Sequence, residues 1–195
     1  MTRLYIYGGI DIKEGALGDI HYIDLSLENL QWKKIDLKGN APKHLYRHTG
    51  NLIGESYFVF GGITNMLPVN TIMKINTNTW ELEDLNPSGS LVPKMDSHSS
   101  VNLKNFVYIF GGYMNYVKSN ETYRFDTSNN AWEFYKTKGK LPQKRSNHSS
   151  ILYQDNMYIF AGSNEINDKL SDLWFLNLNT KEWREIHIKE AIKVK

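Results

Sequence analysis

Three histidines recur at one spacing: His48, His98 and His148, each 50 residues from the next. Three imidazoles can hold zinc or iron when they converge on one point. A fixed repeat instead places them on successive units, too far apart for metal–nitrogen bonds of about 2 Å. We therefore expect each to hydrogen-bond neighbouring backbone at a seam between units, and no metal. The chain has no cysteine, which removes disulfides, thiolate nucleophiles and Cys-ligated zinc. No Gly-x-Ser-x-Gly, P-loop, His-Glu-x-x-His or Gly-x-Gly-x-x-Gly occurs. Acids such as Asp24, Glu81 and Asp126 read as turn formers or solvated strand faces. No catalytic residue and no cofactor are expected.

Binding chemistry is better represented. The stretch Lys136 to Arg145 carries five basic residues and no acid, and Tyr113, Met114 and Tyr116 precede it. Aromatics beside arginine are the residue types that binding hot spots favour. On that reasoning Tyr46, Arg47, Tyr113, Tyr116, Lys144, Arg145 and Asn147 are the candidate partner contacts. The expected partner is a protein or an acidic peptide, bound less tightly as salt rises. A net charge of +2 gives no bulk electrostatic case for nucleic acid. No apolar run approaches the roughly 20 residues of a membrane helix. Met1 to Gly9 does not read as a secretory signal, so a cytoplasmic location is expected.

The elements that position these residues repeat as well. An aromatic-aliphatic run ends in a small-residue pair four times, at Gly8-Gly9, Gly61-Gly62, Gly111-Gly112 and Ala161-Gly162, in steps of 53, 50 and 50 residues. Tryptophans recur at Trp32, Trp80, Trp132 and Trp183. Within a unit, short alternating or fully apolar runs are separated by turn clusters, which reads as four antiparallel strands, a to d. In the third unit these begin at His98, Phe106, Thr122 and Trp132. Strand b lacks alternation, so both its faces are expected to be buried. The glycine pair takes left-handed backbone at its end, and the tryptophan of strand d is expected to fill the gap to the next unit. Sheets of this size stack on neighbours to form a core.

The double glycine, the later tryptophan and a Pro-x-x-Arg-x-x-His linker, intact at Pro142 to His148, resemble the kelch repeat family over residues 4 to about 188. The resemblance implies an all-β propeller in one domain, residues 1–195, with blades at 4–36, 48–85, 98–136 and 148–188. The first blade lacks strand a. Three arrangements follow: missing blades, a four-bladed ring completed by residues 189–195, or an open half-ring that self-associates. The resemblance also implies a non-catalytic scaffold or adaptor that binds through the b–c loops and the d–a linkers. The alternative is a small-molecule-binding or sugar-processing propeller enzyme. The copper enzymes of that type need a cysteine that this chain lacks.

Overall fold

The computed structural model describes residues 2–40 and 43–187; the proposed closing segment 189–195 lies outside them. Among the described residues every regular element is a strand. Three blades share one topology, with strands a to d at Thr49–Ile53, Ser56–Phe60, Ile72–Asn76 and Glu81–Leu85 in blade 2. Blade 3 uses Ser99–Leu103, Phe106–Phe110, Thr122–Asp126 and Ala131–Phe134. Blade 4 uses Ser149–Tyr153, Asn156–Phe160, Leu173–Asn177 and Glu182–Ile186. Blade 1 has only b, c and d, at Arg3–Asp11, Gly15–Asp24 and Lys33–Ile35.

Strand b lies between a and c. In blade 3, Val107 faces Phe125 across one ladder, and Phe125 faces Trp132 across the next. That central position explains the unbroken apolar run: four of the five residues of Phe106–Phe110 are buried. The a–b and c–d turns are tied together at one end, where the amides of Thr77, Thr127 and Leu178 donate to the carbonyls of Glu55, Asn105 and Asp155.

Each full sheet carries a fifth strand that the residue pattern does not announce. The first part of the linker leaving one blade pairs in parallel with strand d of the next blade. Lys38–Gly39 lies beside Glu81–Leu82, Ser88–Gly89 beside Ala131–Trp132, and Lys138–Gly139 beside Glu182–Trp183. The linkers therefore lace consecutive blades at the outer edge, and only their second halves reach the end where the b–c connections emerge. The expectation that the whole linker lines that end is corrected accordingly.

The core is divided into three clusters, each spanning one seam. Tyr5, Tyr7 and Ile20 of blade 1 pack on Tyr57, Val59, Met73 and Ile75 of blade 2. Phe58 and Phe60 then meet Val107, Ile109, Phe125 and Trp132. Val101, Tyr108 and Phe110 meet Met157, Ile159, Trp174, Leu176 and Trp183. The tryptophans fill the gap to the preceding blade rather than the following one. Trp183 lies 4.7 Å from Phe110 and Trp132 5.7 Å from Phe60, centroid to centroid. Trp80 stacks on Tyr22. Among the described residues no core cluster joins blade 4 to blade 1.

Candidate functional site

The linker ends and the b–c connections meet at one end of the molecule. Tyr46 bridges to Ile63, Met95–Asp96 pairs with Tyr113–Met114, and Ser146 bridges to Ser163. The b–c connections are not open loops. Blade 1 continues strands b and c to a turn at Ile12–Glu14, and short hairpins form at Ile63–Thr64/Leu67–Pro68 and Tyr113–Met114/Val117–Lys118. Their turns place Asn65-Met66 and Asn115-Tyr116 at positive φ, 47° and 63° and then 47° and 69°. Two successive left-handed residues make the type I′ turn whose twist suits a hairpin, and its second position is usually glycine. Here methionine and tyrosine hold it.

Those side chains point outward. Met66 is 87% exposed and Tyr116 65%, with Leu67 and Val117 beside them, Ile12 on the first blade and Ile166 on the fourth. The apolar tips make a discontinuous crown. Lys118 braces it: buried, its Nζ donates to Ser163 Oγ (3.1 Å), the Asn164 carbonyl (2.6 Å) and Asn167 Oδ1 (2.8 Å). One b–c hairpin thereby fixes the next connection.

Inside the crown, Arg47, Ser97 and Asn147 occupy equivalent left-handed positions, with φ of 58°, 55° and 56°. The Ser97 amide donates to the Arg47 carbonyl at 2.9 Å, and the Asn147 amide to the Ser97 carbonyl at 3.0 Å. The Arg47 guanidinium is exposed, 3.8 Å from the buried Asp96 carboxylate. Burial pushes the Asp96 carboxyl up, although the Ser97 hydroxyl and Arg47 oppose that. The histidines follow in sequence and lie at the seams. His98 Nε2 is 2.9 Å from Thr49 Oγ1, and His148 Nε2 is 2.8 Å from Ser99 Oγ. Hydroxyls of the preceding blade thus join the backbone groups expected at the seams, where His48 meets the backbone of Tyr7 and Leu45 and His148 that of Phe110. Among the described residues no three His, Asp or Glu side chains form a cluster that could hold a metal ion.

The candidate contacts separate into two groups. Tyr116, Arg47 and Asn147 are exposed on this end, while Tyr46 and Tyr113 are half-buried beneath Arg47 and Lys118. Arg145 is corrected: it is wholly buried and is a packing residue, not a partner contact. Its guanidinium grips Asp172 through two 2.7 Å bonds and also donates to the Ala161 carbonyl at 2.9 Å. Burial tends to raise the Asp172 carboxyl, but the bonds from Arg145 and Trp174 outweigh it and hold that carboxyl below the usual range. Lys144 is exposed but faces Glu165 at 3.1 Å, and Lys140 faces Glu185 at 2.8 Å. The basic stretch is therefore largely matched by this chain's own carboxylates. Sequence reasoning missed the apolar tips Ile12, Met66, Leu67 and Ile166. The Asn-Met and Asn-Tyr dipeptides lack the glycine that marks such a turn.

A family model described as the KLHDC2/KLHL20/DRC7 Kelch-repeats domain matches residues 1–162 and, in a second register, 67–194. The chain is 27% identical over 101 residues, 51% of its length, to Acyl-CoA-binding domain-containing protein 5 of Arabidopsis thaliana. It is 28% identical over 89 residues, 45% of its length, to human Kelch domain-containing protein 10, and 36% identical over 61 residues, 31% of its length, to human Host cell factor 2. The matched stretches make up 15%, 20% and 7% of those relatives. With the blade topology, the glycine pairs in left-handed backbone and a family model spanning nearly every residue all in agreement, the chain belongs to the kelch-repeat family.

Proposed function

We propose that the chain is a non-catalytic docking module whose protein partner sits on the crown of b–c hairpins and linker ends. Kelch repeats serve broadly as protein-interaction modules, and rigid blades let the connecting tips vary without disturbing the core. The observation that carries the reading is the pair of large apolar side chains, Met66 and Tyr116, held at solvent-facing left-handed positions. Glycine would relieve such a position of about 1 kcal/mol of backbone strain. Strain kept where it presents a side chain to solvent points to contact with something else. Because Lys144 already faces Glu165 and Arg145 already faces Asp172, apolar contact leads, with Arg47 an exposed cation beside it. This shifts the expected partner away from a strongly acidic peptide.

The test replaces Met66 and Tyr116 by glycine, which the turns accept. The double variant should fold with equal or greater stability and lose about 30-fold in affinity for the native partner, as two hot-spot anchors would. Leu27→Ser, in the c–d turn at the opposite end, should leave affinity unchanged. Undiminished binding by the double glycine variant would reject the crown as the docking surface.

A further inference from the structure

In a chain without cysteine, sulfur oxidation falls to methionine alone. Five of the methionines, Met66, Met73, Met95, Met114 and Met157, lie among the described residues. The blades treat them in two ways. Met73, Met95, Met114 and Met157 are 7% exposed or less, and each belongs to a seam cluster. The sulfur of Met73 is occupied as well, because the Tyr7 hydroxyl donates to its Sδ at 3.8 Å. An oxidant reaches such sulfurs only when a seam opens. Met66 is the exception: it is 87% exposed and belongs to none of the three clusters.

The turn that carries Met66 keeps it in solvent. With Asn65 it forms the two-residue tip between Ile63–Thr64 and Leu67–Pro68, and both tip residues are held in left-handed backbone. Oxidation there alters the face and not the fold. Converting the thioether to a sulfoxide leaves the Cβ and the backbone of the turn as they were, and no core contact is lost. What changes is the tip itself. A flexible apolar side chain becomes a polar one whose oxygen accepts hydrogen bonds from water. Seating it against an apolar surface then requires stripping that water away.

We propose that Met66 is an oxidation site through which a hydroperoxide weakens docking at the crown; the docking half of this rests on the function proposed above. The Met66 sulfur attacks one peroxide oxygen with a lone pair, the O–O bond breaks, and a sulfur–oxygen bond forms. With hydrogen peroxide the departing oxygen takes up the proton of the transferred one and leaves as water. The thioether loses two electrons and the peroxide gains them. The four buried methionines stay reduced, so the change is confined to the crown. A methionine sulfoxide reductase with its dithiol reductant reverses it.

The test treats the intact chain with dilute hydrogen peroxide and follows each methionine by peptide mass mapping. Among the five described methionines, Met66 should gain one oxygen, about 16 Da, while the other four remain reduced and the circular dichroism spectrum is unchanged. The oxidised chain should elute earlier from a phenyl-substituted matrix, which probes the apolarity of the crown, and the reductase should restore its retention. Met66→Leu, whatever its own retention, should show no shift on peroxide treatment. Oxidation of a buried methionine ahead of Met66, or Met66 sulfoxide with unchanged retention, overturns the proposal. Docking is read separately. With the partner used for the double glycine variant, oxidation should lower affinity about fivefold, as loss of one hot-spot contact would. An oxidised chain that binds undiminished while the glycine variant does not would sink the switch and leave the docking surface standing. Undiminished binding by the glycine variant removes the docking surface and the switch together, whatever the mass map shows.

Discussion

Arg145 shows how one residue's role depends on what its surroundings supply. Its equivalents three positions before the histidine are Leu45 and Met95, both buried. The repeat therefore asks only for a large buried side chain there. Arginine meets that demand because Asp172 stands where the other blades have Thr71 and Glu121. Asp172→Asn should cost about 3–5 kcal/mol, since it strands a fully buried guanidinium. The paired change Arg145→Leu with Asp172→Thr, which copies Leu45 and Thr71 of blade 2, should recover most of that loss. Urea midpoints of the two variants check both statements; equal losses would mean that the ion pair is not the reason for the cost. The sequence placed this arginine correctly in the repeat and misassigned its use. A basic run looks the same on paper whether or not carboxylates from distant strands lie against it.

At the scale of elements, the strands b were legible because a central strand needs apolar residues on both faces. The short hairpins and the lacing strands were not, because two-residue ladders carry no periodicity. Lys118 belongs to one such hairpin. Removing its three bonds by Lys118→Met should free the connection at Ser163–Lys169 while leaving the blade intact. Amide exchange there should rise about tenfold or more, for a local loss of about 1–3 kcal/mol in hydrogen bonding. Exchange at Ile159, in the middle of strand b, should not change. Acceleration at both places would show that Lys118 supports the whole blade rather than its crown.

At the scale of the molecule, the seams are held by apolar clusters and by histidines bonded across them. Burial lowers His98 to about 3, helped by His48 and His148, and lowers His148 to about 3, helped by Arg145. His48 is lowered too, again by burial. Below the ordinary value near 6.5 the unfolded chain binds protons that these folded sites refuse. Stability is therefore complete above pH 6.5 and falls as the pH drops towards 3. Asp96, raised by burial, works in the opposite direction at the acid end. Between pH 7 and pH 5, His98 and His148 together should remove about 3–4 kcal/mol. Urea titrations at the two pH values measure this, and replacing both histidines by glutamine should flatten the difference.

The residue pattern alone determined that the chain is a series of four β-sheets of about fifty residues. Strand periodicity, glycine pairs and tryptophans are local demands, and each blade meets them with its own residues. Only the tertiary structure decided which charged groups are spent inside the fold and which apolar residues stand on the crown. Those outcomes depend on groups brought together from different blades. Asp172 against Arg145, Thr49 against His98, and Trp183 against Phe110 are relations between segments far apart in the chain, and no single strand's sequence contains them.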